Sequence, residues 1–311
     1  MNLNASCLFV ETQQSVALAA VLLAEFGIGL LGNGVALWIF CFRITSWKPS
    51  TIYLFNLSLA DFLLIFCLPF RAHYFLKGNN WYFGDIPCRI MLFMVSLNRG
   101  GSIFFLTVVA VDRYFKVVHP FHKINSTTKK KAIGFAVVIW VLLMAMTVYI
   151  LAETHLIDGE IANTTLCESF NLNRNFSSIQ IWHNIFFMAE TIVPLGIILF
   201  CTWSIVCELR SHREDRQGTM QRAVRSVTIV SFEFIVCFLP SALATFAVSL
   251  SKALNKCDAF QTACVVFVIS LSFTYLNSVI NPLVFYFSSP TFRSTLNSSF
   301  IPNFIRKCRN R

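Results

Sequence analysis

Apolar residues gather into seven long stretches, near 17–42, 52–76, 88–117, 131–152, 183–208, 221–250 and 262–286, with polar connections between them. Most exceed the roughly 20 residues that a helix needs to cross the hydrocarbon of a bilayer, so the helices are expected to tilt or to project into water. Only a helix satisfies its own backbone polar groups continuously in lipid. The pattern therefore predicts an all-α membrane protein, a bundle of seven spanning helices. Past Tyr286 the pattern changes. Ser289 is placed to cap a short helix that begins at Pro290, and Phe292, Leu296 and Phe300 recur at four-residue spacing, as in an amphipathic helix lying on the inner leaflet. The division expected is residues 1–16 outside, 17–288 as the seven-helix domain, and 289–311 as the inner amphipathic helix with a short basic tail. Pro69, Pro194, Pro240 and Pro282 fall inside spanning segments, where each removes a backbone hydrogen bond and permits a kink or a hinge.

Composition changes this picture little. The chain has 311 residues, of which 56% are hydrophobic and only 13% charged, against about 25% charged in a soluble domain. Charge placement adds orientation. The first fifteen residues carry no Lys or Arg, whereas basic residues crowd Lys129 to Lys131, the stretch from Arg210 through Arg213, Arg216 and Arg222 to Arg225, and the tail at Arg306, Lys307, Arg309 and Arg311. This is the positive-inside pattern with an outside N-terminus, and seven crossings then put the C-terminus inside. The net charge of +10 is thus explained by membrane topology, and no basic patch on a soluble fold suggests nucleic acid. The opening polar segment and the length of the first apolar run are expected to make an anchor and not a cleaved signal peptide.

The third segment concentrates the chemistry. Cys88 lies near its outer end, Arg99 in its middle and Asp112-Arg113-Tyr114 at its inner end. At about 1.5 Å per residue, Arg99 lies roughly 16 Å below Cys88 and roughly 21 Å above Arg113. An arginine so deep costs about 2.5–3.5 kcal/mol on insertion scales and must face a polar cavity or an acid. A carboxylate ligand offers it a bidentate, charge-assisted partner. The alternative is an internal ion pair, with Glu190 or Glu233 as its partner.

Several motifs, in order along the chain, resemble the rhodopsin-like G-protein-coupled receptors. They are Gly32-Asn33, Leu59-Ala60-Asp61, Asp112-Arg113-Tyr114, Trp140, Pro194, Cys237-Phe238-Leu239-Pro240 and Asn281-Pro282. Within that family, Phe83-Gly84-Asp85-Ile86-Pro87-Cys88-Arg89, Asn98-Arg99, Val117-Val118-His119-Pro120, Leu271-Ser272-Phe273-Thr274-Tyr275 and Tyr286-Phe287-Ser288-Ser289-Pro290 resemble the branch of hydroxycarboxylic acid and oxoeicosanoid receptors. Arg71 is shared in particular with the lactate-type member. The resemblance implies a receptor for a small carboxylic acid such as lactate or 3-hydroxybutyrate, lowering cyclic AMP through an inhibitory G protein, with arrestin as a further partner.

The resemblance also distributes roles. Arg99 is the implied anchor for the ligand carboxylate. Arg71, near the outer end of the second segment, either draws anions into the mouth or snorkels to the headgroups. Tyr275 bonds either the same carboxylate or another helix. Trp81, Ser169, Phe170 and Phe267 match pocket-lining positions, where aromatic walls exclude water. Thr245 stands where an arginine is often found, which favours a longer lipid acid, an oxidised fatty acid being the alternative ligand. Asp112, Arg113 and Tyr114, with Asn281 and Pro282, match the G-protein switch. Ile103, Pro194 and Phe234, followed by Phe238, match the residues that transmit repacking. Asp61, Ser102, Asn277, Ser278, Asn281 and Asn33 fall where the family gathers oxygens around an allosteric sodium ion, hard cations preferring such ligands; a hydrated hydrogen-bond network is the alternative. Phe285 replaces an expected tyrosine, and Glu233 replaces an expected apolar residue. Cys88 and Cys167 match the family disulfide. Cys7 and Cys257 are the other outside cysteines and form a second candidate bridge. Cys308, among basic residues, is either palmitoylated or an inert thiol. Asn4, Asn163 and Asn175 begin outside glycosylation sequons.

Other function classes lack their residues. A retinal photoreceptor needs a lysine in the seventh segment, and 262–286 contains none. A membrane hydrolase needs clustered metal ligands, a pattern absent around His73 and His183. A transporter would be favoured by inverted repeats, and the chain shows no internal repetition. No enzymatic activity is expected.

Overall fold

The computed structural model describes residues 15–158, 164–168, 178–211 and 217–300. Within them, seven helices are long and apolar enough to cross a membrane: α1 (Val16–Arg43), α2 (Pro49–Leu76), α3 (Asp85–Val117), α4 (Lys129–Ala152), α5 (Asn184–Arg210), α6 (Met220–Ala253) and α7 (Cys257–Ser288). A short helix α8 (Pro290–Phe300) follows. The chain is a multi-pass membrane protein, as its hydropathy predicts. The helix containing α5 starts at Ser178, five residues before the apolar stretch suggests. One element is additional to the all-α expectation. Strands β1 (Leu156–Asp158) and β2 (Thr165–Cys167) pair antiparallel, with Leu156 opposite Cys167 and Asp158 opposite Thr165. Three residues per strand are too few to produce a legible alternation.

The prolines act differently from one another. α2 is regular to Ile65, turns at Phe66–Cys67 with the Cys67 N–H donating to the Leu64 carbonyl at 2.7 Å, and resumes at Leu68 just before Pro69. α6 breaks at Phe238, two residues before Pro240. Pro194 and Pro282 stay inside continuous helix. In each case the ring removes a backbone donor and crowds the preceding turn.

α3 is the central stave. Its buried residues run from Cys88 through Asn98, Arg99 and Ile103 to Ala110. The main core joins Leu54 and Leu57 of α2, Ile103 and Leu106 of α3, Phe234 and Phe238 of α6 and Phe285 of α7. In α4 and α5, by contrast, only 22% of the most apolar window is buried, and Val137, Val141, Val193, Phe200 and Trp203 point outward. Apolar faces so little covered by protein are those that a bilayer solvates. Phe285, the residue in place of a tyrosine, is fully buried and packs edge-on against Phe40 at 5.8 Å and Phe292 at 6.0 Å. The lost phenol is therefore replaced by an apolar knot that fastens α8. Ser289 caps that helix as expected, accepting a hydrogen bond from the Phe292 N–H at 3.2 Å.

Close approach between α1 and α7 requires Gly32. A Cβ there would lie 2.9 Å from Cγ of Pro282, a ring that has no rotamer by which to retreat. Gly32→Leu is expected to lower the stability of the purified protein by about 1–3 kcal/mol through overpacking, read as a fall in melting temperature. An unchanged melting temperature would contradict this packing.

Candidate functional site

Arg99 sits at the meeting of α3, α5 and α6, and it is 5% exposed. Its Nε donates to Glu190 Oε1 at 2.9 Å, its Nη1 to Ser241 Oγ at 3.1 Å and its Nη2 to Thr191 Oγ1 at 2.7 Å. The guanidinium carbon lies 3.8 Å from the ring centre of Phe187 and 5.6 Å from that of Phe238. Of the two readings left open by the sequence, the structure therefore supplies the internal pair, with Glu190 as partner and Glu233 elsewhere. The pairing is monodentate. One carboxylate oxygen meets Nε, while both terminal amines bond neutral hydroxyls. Among the described contacts, three of the five N–H donors of the guanidinium are thus used. Thr191, Ser241 and Phe187 were not singled out from the sequence, because a hydroxyl or ring inside an apolar helix carries no signal until the helices are packed.

A second polar group lies toward the Cys88 end. Arg71 is buried, its Nη1 donating to the Cys167 carbonyl at 3.0 Å, with its guanidinium 4.8 Å from the Tyr74 ring centre and 5.0 Å from that of Phe75. A snorkelling arginine would be exposed, so that alternative is corrected by its enclosure beneath the hairpin. The Tyr74 hydroxyl donates to Glu168 at 3.4 Å. Burial holds the Glu168 carboxyl above the ordinary carboxylate range, against the opposing pull of the Arg71 charge and the Tyr74 hydroxyl. Glu168, directly after the disulfide cysteine, was the missed partner in this group. Tyr275 and Trp81 are buried in the same apolar cluster as Tyr74, Phe75 and Cys167. The Trp81 indole N–H donates to the Gly84 carbonyl at 2.8 Å, and its backbone N–H to Thr165 at 2.8 Å, so this tryptophan holds the loop against the hairpin. Phe267 belongs to a different cluster, with Ala244, Val248 and Phe260. Thr245 is buried near it, its hydroxyl turned back to the Ser241 carbonyl at 2.8 Å. Ser169 and Phe170 lie outside the described residues.

Cys88 and Cys167 form a disulfide that fastens the hairpin to α3. Cys257 is disulfide-bonded as well; Cys7, its expected partner, lies outside the described residues, as do Cys308, Asn4, Asn163 and Asn175. Among the described residues Cys41, Cys67, Cys201, Cys207, Cys237 and Cys264 are free, Cys41 and Cys207 being exposed and Cys201, Cys237 and Cys264 buried.

At the opposite end of α3, Asp112 pairs with Arg113 at 3.1 Å and with Lys116 at 2.7 Å, and accepts from Ser50 at 3.1 Å. The Tyr114 hydroxyl faces His119 at 3.0 Å. Between the two ends, Asp61 accepts from Asn98 at 2.9 Å, Ser278 at 2.9 Å and Asn281 at 2.7 Å, while Asn277 bonds Ser102 at 2.9 Å and Asn281 at 3.1 Å. All the residues grouped from the sequence around Asp61 are brought together, Asn33 joining through the Ser278 carbonyl at 2.7 Å. Asn98 is an addition. Ile103, Phe234 and Phe238 share the main core, the two phenylalanine rings 5.1 Å apart, and Pro194 is buried within α5.

Seven spanning helices, the Asp112-Arg113-Tyr114 terminus and the polar centre at Asp61 define a signalling receptor and not an enzyme. Residues 32–285 match the 7 transmembrane receptor (rhodopsin family) model, and the chain belongs to that family. More particularly, it is similar to Hydroxycarboxylic acid receptor 1 from Homo sapiens, with 47% identity over 94% of this chain and 83% of that protein. It is 44% identical to Hydroxycarboxylic acid receptor 3 from Homo sapiens over 98% of this chain and 77% of that protein. Oxoeicosanoid receptor 1 from Homo sapiens is more distant, at 37% identity over 89% of this chain and 71% of that protein.

Removing one member of a buried ion pair strands the other charge, at a cost of about 3–5 kcal/mol. Arg99→Met and Glu190→Gln are each expected to lower the melting temperature of the purified receptor, and the double variant is expected to recover part of the loss. Losses that simply add would show that the two side chains do not depend on each other.

Proposed function

We propose that the chain is a plasma-membrane receptor, N-terminus outside and C-terminus inside, for a small carboxylic acid of the hydroxycarboxylic class such as lactate or 3-hydroxybutyrate. It signals through an inhibitory G protein to lower cyclic AMP. The observation that carries this function is the hydrogen-bond inventory of Arg99. Its terminal amines are held by two neutral hydroxyls, which a carboxylate outcompetes by forming a charge-assisted, two-point contact. Glu190 then serves as the counter-ion that keeps Arg99 charged and oriented in the unliganded receptor. Arg71 adds positive potential at the outer end, and Tyr275 offers a phenol from the cluster beneath the hairpin. The names of the relatives, which include two hydroxycarboxylic acid receptors, support the ligand class.

Binding reaches the G protein through α6. Phe238, whose ring faces Arg99, is the break in α6, and Ser241, which bonds Arg99, lies three residues beyond it. Displacing Ser241 frees that break, and Phe238 passes the change to Phe234 and Ile103 in the shared core. At the inner end, release of Arg113 from Asp112 exposes its guanidinium to the G protein, with arrestin as a further partner. Asp61, with Ser102, Asn277, Ser278 and Asn281, would hold a sodium ion. The fit is supported by two side-chain oxygens there, Asn98 Oδ1 and Asn281 Oδ1, which are buried without hydrogen-bond partners. The ion would supply positive charge against the Asp61 carboxylate.

An oxidised fatty acid is the second ligand class, favoured by Thr245. Its hydroxyl is spent on the Ser241 carbonyl, so this part of α6 presents no charged donor to a ligand and adjoins an apolar cluster. Inhibition of cyclic AMP, measured in cells against carboxylates of increasing chain length, separates the two. A response to short hydroxy acids is expected, and a response to long acids alone would overturn that assignment. Arg99→Ala is expected to abolish the response while surface expression persists; an unchanged dose–response curve would refute the site. Asp112→Asn is expected to raise basal inhibition of cyclic AMP, and an unaltered basal level would remove Asp112 from the switch.

A further inference from the structure

Ser226 of α6 and Ser288, the last residue of α7, take no part in the ligand site or in the Asp112-Arg113-Tyr114 switch. Their hydroxyls hydrogen-bond each other at 2.5 Å, one donating and the other accepting. Ser226 is 1% exposed and Ser288 2%. Neither hydroxyl makes another hydrogen bond among the described residues, so each depends on the other for its buried partner. Beside the pair, the Arg225 guanidinium lies 5.4 Å from the ring centre of Phe287, a second contact between the same two helices.

The two serines stand on unequal supports. Ser288 follows Phe285, which packs on Phe40 of α1 and Phe292 of α8, and the next residue, Ser289, caps α8. The end of α7 is thus tied to two other helices. Ser226 instead belongs to the half of α6 below the break at Phe238, about 18 Å from that joint at the rise of an α-helix. A rotation of about 4° at the joint, away from α7, carries Ser226 more than about 1 Å and takes the pair out of hydrogen-bond range.

Toward α3 and α5 the same half of α6 has weaker polar ties. Ala223 and Val227 pack with Ile205 of α5 and with Tyr114 and Val117 of α3, an apolar contact. Residues 217–237 contain one acid, Glu233, and Arg113 pairs with Asp112 of its own helix. Among the described residues no ion pair joins α6 to α3 here. Thr202 of α5 and Ser231 approach at 2.8 Å, but each hydroxyl also bonds a carbonyl of its own helix, that of Ile198 or Val227. Those two hydroxyls keep a partner when the helices part, whereas Ser226 and Ser288 lose theirs.

We propose that the Ser226–Ser288 contact is an autoinhibitory latch. It closes the inner half of α6 onto α7 in the unliganded receptor, and it breaks when the Arg113 end of the bundle opens to a G protein. This rests on the assignment of signalling to α6 made above. Closed, each hydroxyl has its partner in the other; open, both are reached by water at the inner surface. The contact is neutral and single, so it biases the closed arrangement by a modest factor that ligand binding at Arg99 can exceed.

The test reads the distance between spin labels at Arg222→Cys in α6 and Ser294→Cys in α8, both exposed positions. It uses full-length receptor in lipid nanodiscs, without ligand or G protein, with Cys41, Cys207 and Cys308 changed to Ser. Ser226→Ala and Ser288→Ala are each expected to raise the longer-distance population about fivefold over the parent, the factor that one net hydrogen bond carries. The double alanine variant is expected to match either single one, because all three lose the same bond. In cells at matched surface expression, the alanine variants are expected to raise basal inhibition of cyclic AMP. Distances unchanged in both single variants overturn the proposal. Effects that add in the double variant overturn it too, since each serine would then act alone. If the distances shift as expected while neither parent nor variants signal, the latch stands and the signalling assignment falls.

Discussion

A guanidinium buried among three helices with a single carboxylate oxygen against it is the constraint around which this receptor is arranged. Arg99 cannot be left bare in a low-dielectric bundle, and lipid cannot solvate it. α5 therefore contributes Glu190 and Thr191, α6 contributes Ser241, and Phe187 and Phe238 cover the charge with their ring faces. The cost of removing one charge from this group makes the relative positions of α3, α5 and α6 depend on how Arg99 is satisfied. In the proposed function, a group that must be satisfied, and can be satisfied in two ways, is what would give an acidic ligand leverage over helix packing.

The leverage is directed by the prolines. α5 runs unbroken through Pro194, whereas α6 is interrupted at Phe238 before Pro240. Of the two helices that hold Arg99 through side-chain bonds, only α6 has a joint immediately beside the contact. The core below that joint is a continuous apolar cluster from Phe238 through Phe234 and Ile103 to Phe285, which transmits displacement because close-packed interiors rearrange in discrete steps. The polar centre around Asp61 ties α2 to α3 and α7.

Much of this was legible in the sequence. Hydropathy alone supplies the seven spans and the amphipathic α8, because lipid leaves a chain so few ways to satisfy its backbone. Ordered motifs identify the family, and they mark Asp61 and Arg99 as polar residues with no ordinary reason to be buried. The sequence also narrows the partner of Arg99 to two acids without choosing between them. Glu190 and Glu233 are both solitary acids in apolar segments, and only the rotation of α5 and α6 decides which one faces α3. The hairpin was not legible, since its strands are three residues long, and the burial of Arg71 follows from that hairpin folding over it. Ser241 and Thr191 illustrate a general limit. Each hydroxyl donates to its own preceding turn, as that of Thr245 does, and only in three dimensions does its free lone pair meet a distant arginine.

In the proposed function Glu190 stays on Nε of Arg99 while a ligand acid takes the terminal amines, so the two acids share one positive charge. The most direct test is the affinity of purified receptor for lactate, 3-hydroxybutyrate and a long-chain hydroxy acid, measured for the wild type and for Glu190→Gln. With the internal acid neutralised, the ligand becomes the sole anionic partner of the guanidinium, and tighter binding of whichever acid the wild type accepts is predicted. Binding unchanged or lost in Glu190→Gln, in protein that remains folded, would contradict a ligand carboxylate that shares the charge of Arg99 with Glu190.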